Sequence, residues 1–337
     1  MGEMTTVENN MDYDYESDLC NKTSVIHFGA IVTPVFFSIV MILSLIGNIL
    51  VLLILVKYEN LKSITNTLIL NLVVSDLFFS AGLPFWTYYH MYGWTLGESA
   101  CKIVSFIFHL GFYSSSIILI LMTAYRYVAV INPLSNIVSA TGLYSIISTV
   151  VIWIMSILAA SPALIFSKIE GQYYCGYMEQ HLKLLGVYLQ NAVFVLSSLV
   201  FVFCYSQILY KLMRPTPQRR NKTLKLIFIL IVVFFVGWAP YNVVIFLQSI
   251  FIFPGKAEEL FANPCKTSQQ LDYAFYISRL LAFSHCCLNP VFYVFVAVKF
   301  KTHLKKMLKS WCHTKRGQNK QNRVTIISLT SGEDFCV

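Results

Sequence analysis

The sequence predicts an all-α membrane protein, a seven-transmembrane helix bundle followed by a short amphipathic eighth helix. Three observations carry that reading. Of 337 residues, 57% are hydrophobic and only 12% are charged, against about 25% charged in a soluble domain. Seven apolar stretches are separable, at about 30–56, 67–91, 101–131, 142–166, 185–213, 223–252 and 271–296. Each is long enough to cross a hydrocarbon core of about 30 Å as a helix. One such stretch reads equally well as a buried core helix; seven in succession do not. Third, Lys and Arg are unevenly divided among the connections, which is a topology signal.

The chain then divides into an acidic N-terminal segment (1–29), the bundle (30–298), a membrane-surface helix (299–312) and a tail (313–337). The front carries Glu3, Glu8, Asp12, Asp14, Glu16 and Asp18 and no long apolar run, so no cleavable signal peptide is expected and the first helix is its own anchor. Lys57 and Lys62, then Arg126, then Lys211, Arg214, Arg219, Arg220, Lys222 and Lys225 fall in the first, third and fifth connections, and the tail adds nine more cations. Lysines on the opposite side are balanced by acids. The positive-inside rule therefore puts the N-terminus outside and the tail in the cytoplasm of a multi-pass membrane protein. The net charge of +9 follows from this distribution and calls for no nucleic acid.

The third stretch, Cys101 to Pro133, organises the rest. Between Lys102 and Arg126 it has no charged side chain, and as a helix it would reach roughly 45–50 Å. Cys101 stands at its outer end and Arg126 at its inner end. Cys175 lies in the connection before the fifth helix, and a disulfide to Cys101 would pin that connection to the central helix. Cys20 and Cys265 precede the first and seventh helices, and pairing them would close the mouth into a ring. Four cysteines allow three pairings, and the sequence does not choose among them.

Asn21-Lys22-Thr23 is a glycosylation sequon on the outer side, whereas the match at Asn221 is cytoplasmic and is set aside. In 299–312, Phe300, Leu304, Met307, Leu308 and Trp311 form one face and lysines the other, the pattern of a helix lying on membrane lipid. Cys312 at its end is either a palmitoylation site or a plain reduced thiol. Thr325, Ser328, Thr330 and Ser331, with Thr314, are phosphorylation candidates, whose phosphates would pair with a basic protein surface; the alternative is an inert tail.

Polar groups inside spans are costly and face the bundle interior. Asp76 is the one carboxylate deep in the second helix. Ser115, Asn289 and Tyr293 would join it around a sodium ion or a water cluster, the alternative being a protonated, hydrogen-bonded Asp. Pro84, Pro240 and Pro290 stand within spans and remove backbone hydrogen bonds there. No phosphate loop, HExxH or nucleophile elbow is present, so no enzyme and no catalytic residue is expected. His285-Cys286-Cys287 suggests a metal, yet neighbours on a helix point apart; no metal site is assigned. The segment Asp12, Tyr13, Asp14, Tyr15, Glu16, Asp18 mixes carboxylates with rings and suits electrostatic capture of a basic protein. Sulfation of the tyrosines would strengthen it.

Several motifs together resemble one family. Gly47-Asn48, Leu70-Asn71-Leu72 with Ser75-Asp76, Arg126-Tyr127, Trp153, Trp238-Ala239-Pro240 and Asn289-Pro290-Val291-Phe292-Tyr293 resemble the signature positions of rhodopsin-like (class A) G-protein-coupled receptors over roughly 30–312. Leu83-Pro84-Phe85-Trp86, Ser284-His285-Cys286-Cys287-Leu288-Asn289-Pro290, the additional Cys20 and Cys265, and the acidic, tyrosine-bearing front are similar to chemokine receptors. Within these, Leu55-Val56-Lys57-Tyr58-Glu59 and Val298-Lys299-Phe300-Lys301-Thr302-His303-Leu304-Lys305 are most similar to the lymphotactin (XC-type) branch, as are Ser197, Gly237 and Arg279 where the wider family has other residues.

The resemblance implies an extracellular chemokine as ligand, an inhibitory-type heterotrimeric G protein, arrestin, chemotactic signalling, and no cofactor beyond an allosteric sodium ion at Asp76, Ser115 and Asn289. It implies a pocket formed by Trp86, Tyr89, Phe108, His109, Tyr241, Gln248 and Arg279, and a switch of Tyr125, Arg126, Tyr127, Tyr205, Trp238, Pro240, Asn289, Pro290 and Tyr293. Arg279 stands where many relatives carry Glu, so it inverts the pocket charge. Tyr125 stands where the family has Asp, which weakens the clamp on Arg126 and leaves a scavenging or arrestin-biased receptor as an alternative. A transporter or channel is the remote alternative, because no charged relay crosses the spans.

Overall fold

The structure, a computed structural model, describes residues 20–132, 142–170, 174–212, 221–253, 259–296 and 302–307. Its helices are α1 (Thr23–Tyr58), α2 (Ile64–Tyr92), α3 (Glu98–Ile131), α4 (Leu143–Phe166), α5 (Gln180–Leu212), α6 (Asn221–Ile250), α7 (Pro264–Phe283) and α8 (His285–Val296). Between α4 and α5 lies a hairpin of β1 (Ser167–Glu170) and β2 (Tyr174–Tyr177). The pairing is antiparallel, with Ile169 opposite Cys175.

Periodicity explains how the bundle buries itself. On α1 the buried residues Val25, Gly29, Thr33, Phe37, Val40, Ser44, Asn48, Val51 and Leu55 recur every three or four positions. The intervening Ile31, Val35, Ile39, Ile42 and Ile46 are all more than half exposed. An apolar exterior around a core containing serines and asparagines is the arrangement that a lipid solvent selects. Six helices among the described residues are long and apolar enough to cross a membrane.

The seventh segment differs from the single span expected at 271–296. It starts earlier, at Pro264, where Asn263 caps it by accepting from the Lys266 amide at 3.2 Å. It is also interrupted at Ser284. In this turn the Ser284 hydroxyl donates to the Leu281 carbonyl (2.6 Å) and His285 Nδ1 to the Ala282 carbonyl (2.6 Å), so side chains take over backbone acceptors. The first helix likewise begins at Thr23 rather than near 30, which moves residues 23–29 from the N-terminal segment into the bundle. The hairpin had no counterpart in the sequence reading.

Prolines leave carbonyls to be satisfied. Pro290 lacks the N–H that would bond the Cys286 carbonyl. That oxygen is taken instead by two α1 side chains, Asn48 Nδ2 at 2.9 Å and Ser44 Oγ at 3.2 Å. Gly47 makes the approach possible, because a Cβ there would lie 2.8 Å from Pro290 Cβ. In α4, Pro162 similarly frees the Leu158 carbonyl, which accepts from Ser161 Oγ at 2.8 Å. Between α2 and α4, Asn71 accepts from Trp153 Nε1 (2.8 Å) and donates to Thr149 Oγ1 (3.0 Å). Gly111 does for α3 what Gly47 does for α1, since its Cβ would meet Phe79 Cβ at 2.8 Å.

The stretch 302–307 is helical. Met307 is buried against the bundle and Lys305 and Lys306 are exposed, while His303 stacks on Tyr58 with ring centroids 5.0 Å apart. Its polar and apolar sides therefore divide as an interfacial helix requires.

Replacing Asn48 by Ala leaves the buried Cys286 carbonyl with Ser44 alone. A loss of about 1–3 kcal/mol is expected, and Gly47→Val, which overpacks the same contact, falls in a similar range of about 1–3 kcal/mol. Thermal unfolding of the purified protein in nanodiscs checks both; unchanged melting in the two variants would contradict this account of the α1–α8 contact.

Candidate functional site

The disulfides gather at one end of the bundle. Cys101, in the first turn of α3, is joined to Cys175 of β2, and Cys20 is joined to Cys265 in the first turn of α7. The turn from α2 to α3 sets up the first of these. Gly93 and Gly97 adopt φ of 73° and 84°, left-handed values that glycine accepts without strain. Between them Trp94 folds inward, 1% exposed, against Cys101 and Cys175, and its indole N–H donates to the Gly97 carbonyl at 2.9 Å. The hairpin is thereby held across the bundle end.

Beneath the hairpin opens a cavity of about 540 Å³. Trp86, Tyr89, Phe108, His109, Tyr241, Gln248 and Arg279 all lie on its wall, alongside His90, Tyr177, Lys183, Gln190 and Tyr276. The latter five escaped the sequence reading. His90 follows Trp86 by four residues and so shares its helix face, a signal that could have found it. Burial pushes the Tyr177 phenol up to about 12, so it stays protonated and can donate.

At the rim, a polar cluster ties α1 and α6 to α7. Lys22 Nζ lies 2.8 Å from Asp272 Oδ2 and 2.7 Å from Ser268 Oγ. Gln248 Nε2 donates to Asp272 Oδ1 at 3.0 Å, and Gln269 donates to the Asn21 carbonyl at 2.6 Å. Asn21 itself is exposed. Deeper, the Arg279 side chain is 7% exposed, with its guanidinium 5.0–5.5 Å from the ring centres of Phe275, Tyr276 and Phe37 and Nη2 donating to His90 Nε2 at 2.7 Å.

Below the cavity floor sits Trp238, fully buried. Its ring centroid is 4.5 Å from that of Phe112, 5.4 Å from His285 and 5.8 Å from Tyr241. Pro240 is in the same turn of α6, and there Asn242 Nδ2 donates to the Trp238 carbonyl at 2.9 Å. Gly237 lets α6 lie close to α7: its Cβ would be 3.2 Å from the Leu281 carbonyl oxygen. Displacement of Tyr241 or Phe283 on the cavity wall would therefore be felt directly by α6.

Asp76 is buried at the level below. Asn289 Nδ2 donates to its Oδ2 at 2.8 Å. Oδ1 has no hydrogen-bond partner among the described residues and stands 3.7 Å from His285 Nε2. Ser115 is bonded to Ser75 Oγ at 2.8 Å, in a serine cluster with Ser114, so the structure places it beside the residue preceding Asp76. Among the described residues no group of three or more His, Cys, Asp or Glu side chains could hold a metal ion. The Cys286 and Cys287 thiols donate to the Phe283 and Ser284 carbonyls instead.

At the opposite end of α3, Arg126 lies about 38 Å from Cys101 by helical rise. Its Nη2 donates to Thr65 Oγ1 at 3.0 Å, and its guanidinium carbon is 5.9 Å from the Tyr125 ring centre. Tyr127 packs on Phe203, and Tyr205, 9% exposed, packs on Phe228. The side chain of Tyr293 lies outside the described residues. So do Asp12, Tyr13, Asp14, Tyr15, Glu16, Asp18, Cys312, Thr314, Thr325, Ser328, Thr330 and Ser331.

Two rim interactions differ in expected weight. The Lys22–Asp272 pair is partly exposed, so Asp272→Asn should cost no more than about 1 kcal/mol. The paired change Cys20→Ser with Cys265→Ser opens a link between residues 245 apart and should cost about 2–4 kcal/mol. Comparative thermal unfolding of the two variants checks the order.

Residues 47–293 match the family described as the 7 transmembrane receptor (rhodopsin family). The chain is 43% identical over 299 residues to human chemokine XC receptor 1, covering 89% of this chain and 87% of that protein. It is 36% identical over 307 residues both to guinea pig (Cavia porcellus) C-C chemokine receptor type 3 and to human C-C chemokine receptor type 1, covering 88% of this chain and 84% and 85% of theirs. A match of this extent, over a bundle with its cavity at the disulfide-bearing end, makes the chain a receptor rather than an enzyme: it belongs to the rhodopsin family of seven-transmembrane receptors, among the chemokine receptors.

Proposed function

We propose that the chain is a plasma-membrane receptor, N-terminus outside, for a small basic secreted chemokine of the lymphotactin class, and that it activates an inhibitory-type G protein. The observation that carries this is the 43% identity to human chemokine XC receptor 1 over most of both chains. A cavity of about 540 Å³ open under the disulfide-pinned hairpin supports it. The carboxylates and tyrosines between Asp12 and Asp18 capture the body of the ligand, and its N-terminus enters toward Arg279. Contact with Tyr241 and the other wall residues above Trp238 favours an arrangement in which α6 swings about Pro240 and opens the end around Arg126, Tyr205 and Tyr293. The ligand drives this only by binding the open arrangement better than the closed one. Arrestin binds the phosphorylated tail, and the 299–312 helix rests on lipid.

Tyr125 favours a second reading. Tyr125 and not a carboxylate immediately precedes Arg126, so an arrestin-biased or scavenging receptor without G-protein signalling is the alternative. Cyclic AMP in cells expressing the chain separates the two. Lymphotactin should lower forskolin-raised cyclic AMP, and Tyr125→Asp should reduce the basal component by about twofold or more while leaving binding intact. Binding and uptake with no fall in cyclic AMP would move the assignment to the scavenger.

We also propose that Asp76 and Asn289 hold a sodium ion, with Ser115 reaching it after rotation away from Ser75. The unpartnered, buried Asp76 Oδ1 supports this, since such an oxygen is costly without a proton or cation. Replacing choline chloride by sodium chloride at constant ionic strength should raise the melting temperature of the purified receptor by a few degrees. Asp76→Asn should abolish the difference; equal melting in both salts would remove sodium from the account.

A further inference from the structure

The cavity wall carries fixed positive charge and no fixed negative charge among the described residues. Arg279 and Lys183 line it, and none of the described lining residues is Asp or Glu. Arg279 cannot accept a hydrogen bond, so His90 Nε2 accepts from it and the His90 ring is neutral, with its proton on Nδ1. The guanidinium is thus surrounded by three aromatic faces and a neutral imidazole, and its buried Nε has no hydrogen-bond partner. Asp272, seven residues toward the mouth on the same helix, is committed to Lys22 and Gln248. Lys183 has its ammonium 5.5 Å from the Tyr174 ring centre, with no carboxylate within salt-bridge distance among the described residues.

Aromatic faces and a neutral imidazole compensate a buried cation less completely than a carboxylate does. In a partly dehydrated recess the resulting potential is positive and weakly screened. The rest of the wall, Trp86, Tyr89, Phe108 and Tyr241, is aromatic. Resting on the reading of this cavity as the ligand site, we propose that its deep end takes a carboxylate carried on an apolar body, bound at Arg279 and attracted by Lys183, and that it rejects an ammonium of the same shape. For a protein ligand entering by its N-terminus, the carboxylate is an Asp or Glu among the leading residues. The same chemistry is available to a free organic acid.

The test uses the full chain in lipid nanodiscs and two probes of matched body, 4-phenylbutyrate and 4-phenylbutylamine. The acid should raise the melting temperature and the amine should not. Arg279→Gln should abolish the shift, and Lys183→Gln, on the cavity wall, should weaken the apparent affinity several-fold if the first variant fails to fold. In a second arm, lymphotactin carrying Glu at its second position should be about tenfold more potent in cells than the form carrying Lys there, with the gap closed by Arg279→Gln. Equal or greater stabilisation by the amine, or no shift with either probe at millimolar concentration, would overturn the proposal. Stabilisation by the acid with no binding of any lymphotactin form would sustain the carboxylate site and sink the lymphotactin assignment instead.

Discussion

The Cys286 carbonyl is the point on which the bundle turns. Pro290 deprives it of its helical partner, and in hydrocarbon no water substitutes. Asn48 and Ser44 must reach it from α1, which requires that Gly47 have no side chain where α1 meets Pro290. The Gly47-Asn48 and Asn289-Pro290 pairs are two halves of one contact. Asn289, placed by the same contact, faces Asp76 on α2. A chain of buried polar ties thus runs from α1 through α8 to α2. Asn71, Thr149 and Trp153 carry a separate link from α2 to α4.

The two ends of the bundle are built on different principles. The disulfide-bearing end is fixed covalently and by a buried Trp94 between two left-handed glycines, so its cavity is held open by structure already paid for in backbone terms. At the Arg126 end the described ties include the hydrogen bonds from Arg126 to Thr65 and from Lys211 to the Ile131 carbonyl, beside ring contacts. Bonds of that kind contribute about 1.5–3 kcal/mol each when charged, a scale that ligand binding can overcome. Between the ends, the Trp238 cluster is packed ring on ring, and packed cores shift between discrete arrangements rather than stretching. Among the described residues, covalent closure is confined to the disulfide-bearing end.

Much of this was legible in the residues. Apolar runs located the helices, because length and hydropathy are what a bilayer selects. Their ends were missed by several residues: α1, α5 and α7 run past the apolar core, and Asn263 and Pro264 start α7 by capping chemistry rather than by hydropathy. The interruption at Ser284 was hidden because Ser, His and Cys side chains there satisfy carbonyls in three dimensions. The hairpin was missed since four-residue strands beside a cysteine carry no alternating pattern of useful length. Cysteine pairing was open at four thiols and three connectivities; the structure chose the one that staples the mouth. The pocket residues read from family likeness all fall on the cavity wall, Arg279 among them, but Lys183, the second cation of that wall, and the contact of His90 with Arg279 needed the fold to bring α5 and α2 to α7. Ser115 is buried and bonded to Ser75, the residue before Asp76 on α2.

The Cys20–Cys265 bond has a mechanical meaning. It fastens the nineteen residues that precede Cys20 to the first turn of the helix that bears Arg279, and through the Ser284 turn to Asn289 and Pro290. A pull applied at Cys20 is therefore delivered to the first turn of α7, and the Ser284 turn is where the straight run of that helix ends.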